Sequence, residues 1–286
     1  MKRAAMLILI VVLSACAPDI AESPTPQPQA TATQTSTSTP IPTPTSTVTP
    51  TPPPNGPCDN PLVPLVIGNQ WKYRVTTDSG EREYSLKVLE RVDSGNILMR
   101  VEFADQEKSV QERVVCLNGV IEDFPLFVMD MLFAERLNKF MNTYHDRGIY
   151  APDHASLAAK NWTMEWQVYY LTEDGARITN PLGPPDLNIG QSAPIDIAFN
   201  MDGTREPVSV PAGGFPQALK VSHDFTVSAT WGSYGGHLTI ETTQWYEPYV
   251  GLLRAQVDKA SYSIGIQESG IPWNSVLELI EFTPGN

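Results

Sequence analysis

The chain has 286 residues, 32 of them acidic and 19 basic, for a formal net charge of −13. That balance argues against nucleic acid and anionic lipid headgroups as partners, because both are held by a basic face. The two basic and two acidic residues before position 57 cancel, so the whole excess falls on residues 57–286, a stretch long enough for a sizeable core.

Lys2 and Arg3 open the chain, Met6 to Leu13 form an apolar run, and the small residues Ser14 and Ala15 precede Cys16. This is the order of an export signal, and the run is too short to cross a hydrocarbon core of ~30 Å as a helix. The chain then turns polar with Pro18, Asp19 and Glu22. Leu13-Ser14-Ala15-Cys16 resembles the lipobox of bacterial lipoproteins. The resemblance implies removal of residues 1–15, a thioether-linked diacylglycerol on Cys16, usually with an added N-acyl chain, and a cell-envelope location outside the cytoplasm. Several acyl chains anchor stably, since each buried CH₂ contributes roughly 0.8 kcal/mol. The alternative is an ordinary secretory signal with an incidental cysteine. No later stretch carries about 18 consecutive apolar residues, so no second membrane crossing is expected.

Residues 16–56 read as a lipidated N-terminus and disordered linker. Of the 32 residues from Ser23 to Pro54, ten are Pro and eleven are Thr, and none is charged. Such a segment cannot offset its ordering entropy, and its prolines bias it toward extended polyproline II at roughly 3.1 Å per residue. It is expected to act as a stalk, and its Ser/Thr density would also permit O-glycosylation.

Residues 57–286 are expected to form one β-rich domain. Cys58 and Cys116 are its two cysteines, and export to a potentially oxidising space favours a disulfide between them over free thiols. Gln70 to Thr77 alternates Trp71, Tyr73 and Val75 against Lys72, Arg74 and Thr76, the period of a half-buried strand. Strands follow at Glu83 to Arg91, Ile97 to Phe103 and Ser109 to Cys116, and Asn118-Gly119 is a hairpin signal into Val120 and Ile121. Together these form an antiparallel meander.

Leu126 to Asn142 departs from that pattern. Leu126, Met129, Phe133, Leu137 and Phe140 follow a 3.6-residue period, and further Met and Phe side chains widen the stripe. This predicts a helix filling the concave side of the sheet or, on the sharper reading, a plastic lid over an apolar cavity.

Ser156 to Trp162 echoes Pro64 to Trp71 and reads as a second β-entry corner, followed by a strand at Thr163 to Leu171. Asn180 to Ser192, with three prolines and two glycines, is a loop. Strands resume at Pro207 to Val210, Gln217 to Thr230, Gly236 to Tyr246, Gly251 to Ser263 and Ser275 to Phe282.

Three short motifs carry a family resemblance: Pro64-Leu65, Gly68-Asn69, Trp71 and Tyr73; Val210-Pro211-Ala212-Gly213 with Phe215; and Trp245-Tyr246 with Tyr249-Val250-Gly251-Leu252 and Arg254. Their order is similar to that of exported bacterial proteins and lipoproteins of uncharacterised function related to the DUF3108 and TapB-like groups. The resemblance implies a strongly curved antiparallel sheet, an open or half barrel with the Leu126 to Asn142 helix inserted. It carries no catalytic residue.

Catalytic motifs are missing from the sequence. His145, His154, His223 and His237 form no HExxH and no short metal-spaced pair, and there is no GxSxG, P-loop or GxGxxG after a strand. His145-Asp146 with Asp153-His154 read as polar loop residues rather than metal ligands, and Asp186, Asn188 and Asp202 as turn chemistry rather than a calcium loop. No catalytic residue, metal or cofactor is therefore expected. Trp231, Tyr234, Trp245, Tyr246 and Tyr249 are either ordinary β core or an exposed binding patch. Met129, Phe133, Trp231, Tyr234, Trp245 and Tyr249 are the candidate ligand-binding residues. The expected protein is a monomeric, non-enzymatic envelope module that binds another envelope component or serves a structural role. The alternative is a carrier of a lipid or other apolar ligand, which a large apolar cavity would favour.

Overall fold

The computed structural model describes residues 56, 58–104, 108–180 and 183–285. The signal run, Cys16 and the Pro/Thr-rich stretch lie outside the described residues. In chain order the elements are β1 (Gln70–Thr77), β2 (Gly80–Arg91), β3 (Asn96–Phe103), β4 (Lys108–Leu117), β5 (Val120–Asp123), α1 (Phe127–Phe133), β6 (Thr143–Gly148), α2 (His154–Ala159), β7 (Thr163–Thr172), β8 (Arg177–Ile178) and β9 (Leu187–Asn188). Long strands complete the chain: β10 (Pro194–Val210), β11 (Gly213–Trp231), β12 (Tyr234–Glu247), β13 (Gly251–Ile264), the short β14 (Gln267–Ile271) and β15 (Ser275–Thr283).

Alternation sets the strands. In β1, Trp71, Tyr73 and Val75 are buried while Lys72 and Arg74 are only half-buried, so each strand presents one face to a shared interior. Twelve strands are hydrogen-bonded in the order β5-β4-β3-β2-β1-β15-β13-β12-β11-β10-β7-β6, with β14 appended to β13, β9 to β11 and β8 to β9. Neighbours on this path are antiparallel. A sheet this wide twists and curls back on itself. Its two edges meet where Ile121 of β5 bridges Ala151, with Ile121 N–H donating to Ala151 O (2.9 Å) and Tyr150 N–H to Ile121 O (2.8 Å). The strongly curved antiparallel sheet read from the sequence is present, and this bridge makes it a nearly closed barrel.

The strap of residues 58–69 braces the junction. Cys58 and Cys116 form a disulfide with Cα atoms 5.2 Å apart. Asn60, fully buried, donates through Nδ2 to Gly119 O (2.7 Å) and Pro152 O (2.9 Å) and accepts the Leu62 and Val63 amides on Oδ1. One side chain thereby joins the strap, the β4–β5 hairpin and the segment after β6. The hairpin has Asn118 at φ 50° and Gly119 at φ 83°, the conformation a two-residue Asn-Gly turn requires. Two of the motif residues brace this region: Asn69 donates to Pro64 O and accepts the Gly285 amide, and Trp71 Nε1 donates to Val250 O.

Several expectations need correction. The long helix over Leu126 to Asn142 is only α1, seven residues. Beyond Phe133 the backbone is drawn into other pairings: Asn138 N–H donates to Arg177 O, Thr179 N–H to Arg136 O, and Leu137 bridges Ile178. The second β-entry corner is in part a helix, α2, capped by Asp153, whose Oδ1 accepts the Ser156 amide at 3.0 Å. The 180–192 loop contains the two-residue β9. β10 begins at Pro194 rather than Pro207: buried Ile195, Ile197, Phe199 and Met201 alternate with Asp196, Ala198 and Asn200, and a register shift between Met201 and Arg205, with Gly203 at φ 79°, separates this half from the second. The polar β6 and the mostly exposed β14 show no alternation that would reveal them.

Candidate functional site

α1 defines the interior. Val128, Met129, Asp130, Met131, Leu132 and Phe133 are all buried, and the helix packs on β13 and β15; a segment buried over consecutive helical positions belongs to a core. Phe133 meets Phe225 and Trp273 edge-on, with ring centroids 5.3 and 5.2 Å away. Another cavity, bordered by Tyr73, Tyr150, Tyr246 and the strap, has room for about 40 Å³, little more than one water molecule.

The open ground is at the seam, beyond the Ile121–Ala151 bridge. β5 stops at Asp123 and pairs only with Val115, Cys116 and Leu117, so among the described residues β4 from Ser109 to Val114 is paired on its β3 side alone. Across the gap stands β6. Between them lies a cleft of about 560 Å³, within the size range of small-ligand sites. Leu126, Asp130 and Met131 form its floor, and Val101, Phe103, Glu112 and Asp123 its near wall. The stretch from Lys139 to Thr143 and Glu173 form the far wall.

The charged groups of this cleft are mostly acidic. Glu112 shares the inward parity of Val110, Val114 and Cys116, and Asp123 that of Ile121. Asp130 is 3 % exposed, and Met141 N–H donates to its Oδ1 at 3.4 Å. Among the described residues its Oδ2 has no hydrogen-bond partner, and no Lys, Arg or His lies within ion-pair distance of Glu112, Asp123 or Asp130. Burial holds the Asp130 carboxyl well above the usual range; the Met141 amide opposes the rise and the nearby Glu112 charge adds to it. Burial raises Glu112 too, with Glu173 and Asp123 contributing. It raises Asp123 against the opposing pull of His145. Of the lining cations, Lys139 is paired with Asp174, and Arg113 is exposed on the outer face of β4. The apolar wall includes the stacked rings of Phe103 and Phe140, 4.8 Å apart.

The residues proposed from sequence do not come together here. Met129 and Phe133 lie in the core, and it is Met131 that reaches the cleft. Trp231 and Tyr234 are cross-strand partners at one end of β12, with Tyr234 65 % exposed. Tyr249 follows the other end of β12, on the order of 40 Å away at the rise of a strand, at φ 64°. Trp245 is buried on the sheet's outer face, its Nε1 donating to Glu206 and Arg254 lying over its ring. His145 and His154 are likewise apart: His145 bonds Gly148 O, while His154 faces Trp162 and Tyr249. Among the described residues no three His, Cys, Asp or Glu side chains are placed to share a metal ion. No helix among them is long and apolar enough to cross a membrane.

The carboxylates were missed although they left a signal. Glu112 breaks the apolar parity of β4, and Asp130 is the lone charge in FVMDMLF.

No family model and no curated protein matches the chain. Among solved structures it is similar to a protein from Bacteroides fragilis described as exported, with a YmcC-like fold, at 17% identity and a TM-score of 0.48, over 79% of this chain and 100% of that one. It is also similar to a protein from Parabacteroides distasonis described as a lipoprotein, at 16% identity and a TM-score of 0.49, over 78% of this chain and 99% of that one.

Proposed function

We propose that this chain is an exported, lipid-anchored module whose barrel binds a small ligand or envelope component at its seam, without catalysing a reaction on it. The observation that carries the reading is the cleft of about 560 Å³ between the unpaired edge of β4 and the segment leading into β6. The Leu13-Ser14-Ala15-Cys16 motif supports the anchor, and the Pro/Thr-rich stretch after it would hold the barrel away from the membrane. Among the described lining residues there is no Ser or Cys nucleophile and no His base, in keeping with a binding role. A wholly apolar cargo fits less well, because it would leave Glu112, Asp123 and Asp130 desolvated without partners.

Native mass spectrometry of the full chain purified from its own cells tests the reading. A bound mass that is lost on denaturation, and lost again when Phe140→Asp disturbs the cleft wall, is the expected result. A bare chain that also takes up nothing from an envelope extract would overturn it. The anchor is tested separately with an alkyne-tagged fatty acid, which should label the wild type and not Cys16→Ser.

A further inference from the structure

The inner face of a β-barrel is normally apolar, and a carboxylate placed there is costly unless a cation meets it. This barrel turns three inward at one place: Glu112 from β4, Asp123 from β5 and Asp130 from α1. Their charges act on one another, yet none has an ion-pair partner among the described residues. Asp130 is the most demanding of the three. It is 3 % exposed and lines the cleft, its Oδ1 takes one long bond of 3.4 Å from Met141, and its Oδ2 takes none among the described residues. Of the cations near the cleft, Lys139 is engaged by Asp174, Arg113 stands exposed on the outer face of β4, and His145 acts on Asp123 from beyond ion-pair distance.

A single compact cation fits poorly. No three acidic or histidine side chains among the described residues are close enough to share one ion, so the negative charge is spread along the cleft. Its walls also include Val101, Leu126, Met131 and the stacked rings of Phe103 and Phe140, surfaces that suit methylene groups and attract ammonium heads to the ring faces. Separated charges joined by apolar wall call for a ligand of the same pattern.

We infer that the seam cleft binds an aliphatic amine bearing two or more ammonium groups, its charges met by Glu112, Asp123 and Asp130 and its methylene chain lying against Phe103, Phe140 and Met131. The inference rests on the reading of the seam as a binding site and gives that site a ligand class.

Isothermal titration of the full chain in a neutral detergent, with blank titrations into detergent alone, tests it using spermidine, 1,8-diaminooctane and the uncharged octane-1,8-diol. Both amines should bind with one site per chain, and the diol should bind at least tenfold more weakly. Asp130→Asn and Glu112→Gln should each weaken diamine binding about tenfold. Glu122→Gln, which removes the same charge from the outer face of β5 next to Asp123, should leave it within twofold. Because Asp130→Asn is close in shape and relieves a buried charge, it should melt no lower than the wild type, so lost binding cannot be ascribed to unfolding. Equal effects of Glu122→Gln and Glu112→Gln would overturn the proposal by reducing it to bulk attraction to an acidic protein. Diol binding as tight as diamine binding would overturn it too, while leaving the seam as an apolar site. Absence of amine binding from a chain that still carries a bound mass from its own cells would overturn the ligand class alone. Absence of both would overturn the site as well.

Discussion

Asp130 and His223 are both buried, and acid acts on them with opposite signs. Asp130 has its folded pKa raised, so the folded state holds the proton more tightly than the unfolded one. Its contribution is most favourable below the unfolded value of 3.8 and is lost as pH rises through the folded pKa. Asp130→Asn should therefore stabilise the unliganded barrel at pH 7 by about 1–2 kcal/mol, with the advantage shrinking on acidification. Thermal melts of the pair at pH 7 and pH 4.5 check this, and a gap that widens at low pH would reject it. His223, beside Thr242 Oγ1 at 3.1 Å and edge-on to Phe199, is pushed down to about 3 by burial, with a hydrogen bond to its own backbone opposing. It stays neutral when folded, and stability is lost as pH falls from 6.5 toward 3. The loss reaches about 3 kcal/mol at pH 4.5, since one pKa unit is worth about 1.4 kcal/mol. Urea titrations should show a flatter pH dependence for His223→Gln over that window.

At the level of elements, most of the strands were legible. β1 is read to the residue because Trp71, Tyr73 and Val75 alternate cleanly with polar neighbours. The Asn118-Gly119 turn is read because few residues other than Asn and Gly accept positive φ at both central positions. What failed was local periodicity under tertiary control. Leu137 and Phe140 continue the helical period in sequence, yet the backbone after Phe133 finds partners in β8 and leaves the helix. The disulfide was legible from compartment and cysteine count, and its loop of 58 positions makes a strong prediction. Cleaving it with a reductant should lower stability by about 4 kcal/mol in the loop-entropy model. Equilibrium unfolding with and without reductant measures that loss, and equal midpoints would show that the strap is held by its hydrogen bonds alone.

For the whole molecule, the decisive feature is how the sheet closes. Among the described residues its two edges are joined by the Ile121–Ala151 bridge, by Tyr170 Oη donating to Phe124 O, and by Asn60, whose amide spans Gly119 and Pro152. Asn60→Ala would leave those carbonyls and the Leu62 and Val63 amides without this partner, at a cost of roughly 2–4 kcal/mol. The damage should be local: hydrogen exchange at Ile121, Tyr150 and Ala151 should accelerate well beyond that in β11 and β12. Uniform acceleration through the barrel would mean that the seam does not open independently of the rest. The same closure creates the cleft, since β5 ends at Asp123 while β4, among the described residues, runs on paired to β3 alone.

By itself the sequence determined what depends on near neighbours: the charge excess, the composition of the Pro/Thr-rich stretch, most of the alternating strands and the Asn-Gly turn. These follow from side-chain chemistry and backbone sterics over a few residues. Only the tertiary structure decided that the edges meet at Ile121 and Ala151, that Met129 and Phe133 are core, and that Trp231 and Tyr249 lie near opposite ends of the β11–β12 pair. Glu112, Asp123 and Asp130 become neighbours for the same reason. They come from two strands and a helix, and only the curl of the sheet around α1 brings their charges into one cleft.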